Sequence, residues 1–204
     1  MRRNIFVIFT LFFSILIFSG CDSGPQIKAL VQESVVLAFG DSLTHGTGAS
    51  NGQAYPDVLS ELLGRPVINV GIPGEVSAAG LKRLPSVLDQ YKPSLVILCH
   101  GGNDFLRRMD EATTTRNLKA MIELIRARGA DVVMVAVPKL GFGLGIPKFY
   151  LDIAEEYTIP LQREILLDLL GDNSMKSDSI HPNATGYRLM AEAINDVINK
   201  AQKK

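Results

Sequence analysis

The chain has 204 residues, long enough for one sizeable core, and 47% hydrophobic with 21% charged residues excludes an intrinsically disordered chain. Its 21 basic side chains balance 21 acidic ones, without the basic excess of a nucleic-acid binder. Its two cysteines lie outside any C-x-x-C pair, so they build neither a disulfide scaffold nor a thiolate metal site.

The first segment reads as an address. Arg2 and Arg3 precede an apolar run from Ile5 to Phe18, interrupted only by Thr10 and Ser14. As a helix that run covers about 21 Å, short of a hydrocarbon core of about 30 Å, so it fits a secretory signal better than a permanent span. Phe18-Ser19-Gly20-Cys21 resembles a bacterial lipobox, in which the cysteine is lipidated and becomes the new N-terminus. The sequence therefore predicts a lipoprotein signal peptide over 1–20, a lipidated Cys21 with a polar tether over 21–33, and a body over 34–204. The expected location is the extracytoplasmic or periplasmic face of a bacterial envelope membrane. An uncleaved anchor and a plainly secreted protein are the alternatives. The mature chain carries no polybasic patch, so lipid on Cys21 is the expected attachment.

The body alternates strands and helices. Ser34 to Phe39 is a short apolar run stopped by Gly40, as expected of a buried parallel strand. Pro56 opens a helix with Val58, Leu59, Leu62 and Leu63 on one face and Gly64 at its end. Val67 to Val70 is a second strand. Leu81, Leu84, Leu88 and Tyr91 mark a helix that Pro85 should bend. Leu95 to Cys99 is a third strand. Leu118, Met121, Ile122 and Ile125 follow helical spacing, with Gly129 as terminator. Val132 to Val137 is a fourth strand, and residues 141–145 form a loop before a helix near Pro147 to Tyr157. Ile159 to Leu161 is expected as a fifth strand. The last helix runs from about Ala184 to Asn199, capped by Asn183, with Tyr187, Met190, Ile194 and Val197 inward. Such an order implies a parallel sheet covered on both faces, with its chemistry at the C-terminal strand ends.

Four motifs fall where that chemistry would sit. Gly40-Asp41-Ser42-Leu43 follows the first strand, where glycine permits a sharp exit and the serine reaches the sheet rim. Gly74 lies in a Pro-Gly turn after the second strand. Gly101-Gly102-Asn103-Asp104 follows the third strand and offers an amide donor beside an open backbone, or simply an Asx-type turn. In Asp178-Ser179-Ile180-His181-Pro182 a carboxylate can bind one imidazole nitrogen and leave the other free for a nucleophile.

Together these motifs resemble those of the GDSL or SGNH hydrolase family over essentially all of residues 34–198. Within it the chain is most similar to the small bacterial acyl-CoA thioesterase I, lysophospholipase and arylesterase group, through INVGIPGEVSAAGLKRLP and LCHGGNDFLR. The resemblance implies a three-layer α/β/α sandwich, the SGNH hydrolase fold, with a flavodoxin-like parallel sheet of about five strands. It also implies a catalytic triad of Ser42, Asp178 and His181. The oxyanion hole would comprise the Ser42 and Gly74 amides and the Asn103 side chain, and no metal or cofactor would be needed. Pro73 departs from the subgroup, which often has serine there.

The expected reaction is hydrolysis of carboxylic esters and thioesters of acyl chains, lysophospholipids included, through an acyl-enzyme. No obligate protein partner is indicated. Phe105, Leu106, Phe142, Leu144 and Ile146 are apolar and stand where acyl-binding loops would be. A glycan or cell-wall O-deacetylase is the alternative, disfavoured by the absence of Trp. A catalytically dead acyl-binding lipoprotein is the non-enzymatic reading. Gly48-Ala-Ser50-Asn-Gly52 matches the G-x-S-x-G pattern, but it neither leaves a strand nor enters a helix at once, so Ser50 is rejected as nucleophile. His45 and His100 lack an aspartate at the required spacing, and Cys99 reads as a core thiol.

Overall fold

A computed structural model describes residues 24–139 and 143–203. The leader, Cys21 and Phe142 lie outside the described residues. Five parallel strands form one sheet in the order β2-β1-β3-β4-β5: β1 (Val36–Gly40), β2 (Val67–Asn69), β3 (Leu95–Cys99), β4 (Asp131–Val135) and β5 (Leu161–Gln162). This is the flavodoxin-like order, whose crevice opens where β1 and β3 diverge in connection. Val36 to Phe39 and Leu95 to Cys99 have no exposed surface, which is why both strands read as unbroken apolar runs.

Gly40, expected to stop β1, is instead its last rung opposite Cys99. A Cβ there would stand 2.1 Å from the Cys99 carbonyl oxygen, so only glycine lets the two strands stay paired to the rim. At the other end, the Val35 carbonyl accepts the Ser94 amide just before β1 begins. Strand β4 ends two residues earlier than expected, and Val137 and Pro138 leave the sheet to line a cleft. Strand β5 lies further along than expected because the Ile159 amide donates to the Ala154 carbonyl, closing the preceding helix, and Pro160 has no amide to donate.

The helices are α1 (Ser42–His45), α2 (Tyr55–Leu63), α3 (Ser77–Tyr91), α4 (Gly102–Leu106), α5 (Glu111–Ala127), α6 (Lys148–Glu156), α7 (Ile165–Gly171) and α8 (Ala184–Ala201). Helix α2 packs on α8 and α8 on α7, while α3 packs on α5 and α5 on α6, giving two helical layers. Leu118, Met121, Ile122 and Ile125 of α5 are fully buried, as are Tyr187, Met190 and Ile194 of α8. Leu62, expected inward, is 44% exposed, and Val58 and Leu59 carry the α2 contact. In α8, Ile198 is buried and Val197 only half-buried. Pro85 lies within α3 without ending it. Helices α1, α4 and α7 were not expected.

The segment expected as a tether is bound to the body from Ile27 onward. Ile27 is 2% exposed, its amide donates to the Ala201 carbonyl, and its carbonyl accepts the Lys203 amide. The Lys28 amide donates to Asp131 Oδ2 at 2.7 Å, at the start of β4. Arg65 holds the Val31 carbonyl. These contacts lie at the N-terminal end of the sheet.

Candidate active site

Ser42 is the first residue of α1, directly past the end of β1. Asp41 caps that helix by accepting the Leu43 amide at 3.0 Å, and Gly46, in a left-handed conformation, ends it after one turn. The tight strand–cap–turn fixes the serine at the rim. His181 Nε2 lies 3.0 Å from Ser42 Oγ, and His181 Nδ1 lies 2.8 Å from Asp178 Oδ2. Because Nδ1 faces a carboxylate it carries the ring proton, which leaves Nε2 to accept from the serine hydroxyl.

The loop bearing this pair is tied to itself. Asp178 Oδ1 accepts the Ile180 amide at 2.8 Å and the His181 amide at 2.9 Å. The Ser177 amide donates to the His181 carbonyl, and the Asn183 amide to the Met175 carbonyl. Asn183 also caps α8, so the imidazole's aim is set by an 18-residue helix. Burial works against ionisation of Asp178, but hydrogen bonds from the His181 ring and the Ile180 and His181 amides hold its carboxyl below the usual range.

The other expected residues converge on the same rim. Gly74 has φ 76°, so the Pro-Gly turn does need glycine there. Neither the Ser42 nor the Gly74 amide has a hydrogen-bond partner among the described residues. Asn103 sits on α4, where an Asx turn was the alternative, and its Nδ2 donates to Asp41 Oδ2 at 3.0 Å and to the Glu75 carbonyl at 3.1 Å. Burial pushes the Asp41 carboxyl up, against the pull of His100, the Leu43 amide and the Asn103 carboxamide.

A cleft opens over Ser42 and His181. Its apolar wall is Leu43, Phe105, Leu106, Val137, Pro138, Leu170 and Ile180. Phe105 and Leu106 were expected there, but Leu144 and Ile146 are not part of it. The Lys139 amide donates to the Gly145 carbonyl, which draws that loop's ends together, and Ile146 packs against the core. Leu170 was missed with its helix, although Leu166, Leu169 and Leu170 are a legible i, i+3, i+4 pattern.

Ser50 stands in an exposed turn, its amide bonded to Gln53 Oε1, and makes no contact with a histidine. His45 is exposed at the end of α1. Cys99 is free and buried, and burial, followed by the Asp41 charge, pushes its thiol well up. His100 is also buried, with a glutamate partner that sequence spacing does not reveal: Glu75, 25 residues away.

Residues 38–189 match the GDSL-like lipase/acylhydrolase family model. The chain is 32% identical over 178 residues to esterase TesA of Pseudomonas aeruginosa, covering 82% of this chain and 89% of that protein. It is 30% identical over 166 residues to thioesterase 1/protease 1/lysophospholipase L1 of Escherichia coli K12, covering 77% and 79%. Among solved structures, a crystal structure of TesA superposes with a TM-score of 0.75 at 30% identity, over 82% of this chain and 99% of that one.

Proposed function

The chain belongs to the GDSL-like lipase/acylhydrolase family, and from that premise we propose that it hydrolyses esters and thioesters of acyl chains, lysophospholipids among them, through a Ser42 acyl-enzyme. The observation that carries this reading is the continuous chain Ser42 Oγ–His181–Asp178 at the head of an apolar cleft. Ser42 Oγ attacks the carbonyl carbon as its proton passes to His181 Nε2, and Asp178 stabilises the imidazolium. The carbonyl electrons move to an oxyanion received by the Ser42 and Gly74 amides and by Asn103 Nδ2, which turns one N–H to it from Asp41 Oδ2 and keeps the other on the Glu75 carbonyl; loss of one such donor costs about 10²–10³ in rate in such sites. The His181 proton then goes to the departing alkoxide or thiolate. Water, deprotonated by the same nitrogen, releases the acyl group as a carboxylic acid.

The apolar wall favours acyl chains over acetate. A p-nitrophenyl ester series of rising chain length tests this. Rising kcat/KM with length supports the acyl-esterase reading, and acetate as the best substrate throughout transfers the case to an O-deacetylase.

We further propose that the protein is a lipoprotein anchored through Cys21, as the lipobox-like junction suggests. The bonds at Ile27 and Lys28 leave only about 20 Å of chain between Cys21 and the body. They lie at the N-terminal end of the sheet, whereas Ser42 lies at the C-terminal end, a strand length of about 17 Å away. On this reading the cleft faces away from the bilayer that holds the anchor, and substrates arrive from the aqueous side.

A further inference from the structure

The three expected oxyanion donors stand on three different strand exits: Ser42 after β1, Gly74 after β2 and Asn103 after β3. An oxyanion hole works best when its donors are held in fixed relation, since its advantage is that little reorganisation is needed during reaction; here the exchange is confined to the Asn103 N–H that leaves Asp41. We propose that the carboxylate of Glu75, with Arg83 and His100, is the positioning unit that locks those three exits together. The inference rests on the proposed oxyanion role of Ser42, Gly74 and Asn103.

Glu75 belongs to the β2 exit, adjacent to Gly74, and is 8% exposed. Arg83 of α3 grips it with two hydrogen bonds of 2.7 Å, from Nε to Oε1 and from Nη2 to Oε2. The same Nη2 donates to the Gly40 carbonyl at 3.3 Å, and the guanidinium lies 4.0 Å from the Phe39 ring centroid. Both Phe39 and Gly40 belong to β1, so this grip ties the β2 exit to the strand that delivers Ser42. The third tie is His100, fully buried at the end of β3, whose Nε2 lies 3.2 Å from Glu75 Oε2.

The direction of that bond is fixed. The Gly101 amide donates to His100 Nδ1 at 3.1 Å, so Nδ1 accepts and the ring proton sits on Nε2, which donates to Glu75. Tyr150 holds the His100 carbonyl at 2.8 Å. Three residues further on, Asn103 donates back to the Glu75 carbonyl. One residue thus receives a side-chain bond from the β3 exit and a backbone bond from the donor it positions. Hydrogen bonds from three donors demand a carboxylate: a carboxamide at 75 would turn its NH₂ toward either Arg83 or His100, both donors.

The test uses the full chain in detergent, with butylboronic acid as probe. The boron adds Ser42 Oγ, His181 takes the serine proton, and the tetrahedral adduct presents an oxygen to the oxyanion donors. Glu75→Gln and His100→Leu should each weaken boronate binding about 10- to 100-fold and lower kcat per titrated active site by a similar factor, with KM within about threefold. A merely structural role would lower the titratable fraction and leave affinity per site unchanged. His100→Gln, whose amide can reach the Nε2 position, should recover most of the loss. Asn103→Ala is the reference. Boronate affinity retained in Glu75→Gln and His100→Leu but lost in Asn103→Ala overturns the positioning role and leaves the oxyanion assignment standing. Affinity retained in Asn103→Ala overturns that assignment and the inference with it. Should Glu75→Gln not fold, the contrast between His100→Leu and His100→Gln decides the question, and equal affinity of those two overturns the proposal.

Discussion

Asp178→Asn should damage the enzyme more than Asp178→Ala. In the folded loop, Asp178 Oδ1 is held by two backbone amides, Ile180 at 2.8 Å and His181 at 2.9 Å. An asparagine would keep its only acceptor oxygen there and turn its NH₂ toward His181 Nδ1. That nitrogen must then accept, so the ring proton moves to Nε2, facing Ser42 Oγ, and the imidazole cannot act as base. Restoring the active tautomer sets two donors against each other, at about 1–3 kcal/mol for each unsatisfied group, so about 4 kcal/mol or roughly a thousandfold in kcat. Alanine leaves no wrong-handed donor. The Asp178 side chain is 49% exposed, so water can take the acceptor role, and the loss should be about tenfold smaller. Steady-state turnover of p-nitrophenyl butyrate, normalised to circular dichroism of the native fold, measures both. An asparagine variant as active as the alanine variant, or more so, refutes the account of how the loop sets the tautomer.

Leu170→Ala should flatten the rise of kcat/KM with acyl length, because each methylene it contacts is worth up to about 0.8 kcal/mol; an unchanged slope removes Leu170 from the acyl wall. Ser50→Ala and His45→Ala should keep near-normal turnover in the same ester assay, since neither side chain contacts the catalytic chain. Hydrogen bonds from His100 and Arg83 outweigh burial and hold the Glu75 carboxyl below its ordinary value. Its stabilisation is therefore present above that ordinary value and is lost as pH falls through the lower folded one. The deficit in thermal midpoint of Glu75→Gln should be largest near pH 7 and shrink on acidification; a constant gap contradicts this. Cells fed radiolabelled palmitate should label the wild-type protein, and Cys21→Ala should lose both label and membrane fraction.

The strands that carry the site were legible because burial on both faces leaves continuous apolar runs, and β3 falls on the expected residues. Ser42, Asp178 and His181 were legible because short local motifs fix them, and the structure brings all three within hydrogen-bond distance. Long-range packing was not. The pairing of His100 with Glu75 depends on two strand exits meeting, which no spacing along the chain encodes. The position of β5 turned on a helix-closing bond from Ile159, and the short helices α1 and α4 contain too few residues to show a period. Ile146 looked like an acyl-pocket residue on composition alone, whereas the bridge between Lys139 and Gly145 turns it toward the core.

The proposed mechanism makes Ser42 the nucleophile and His181 its base. A fluorophosphonate incubated with the wild-type protein, followed by peptide mass spectrometry, tests it most directly. A single adduct is expected, on Ser42, formed far more slowly in His181→Ala and absent in Ser42→Ala. An adduct on Ser50, or undiminished labelling of Ser42→Ala, would contradict it.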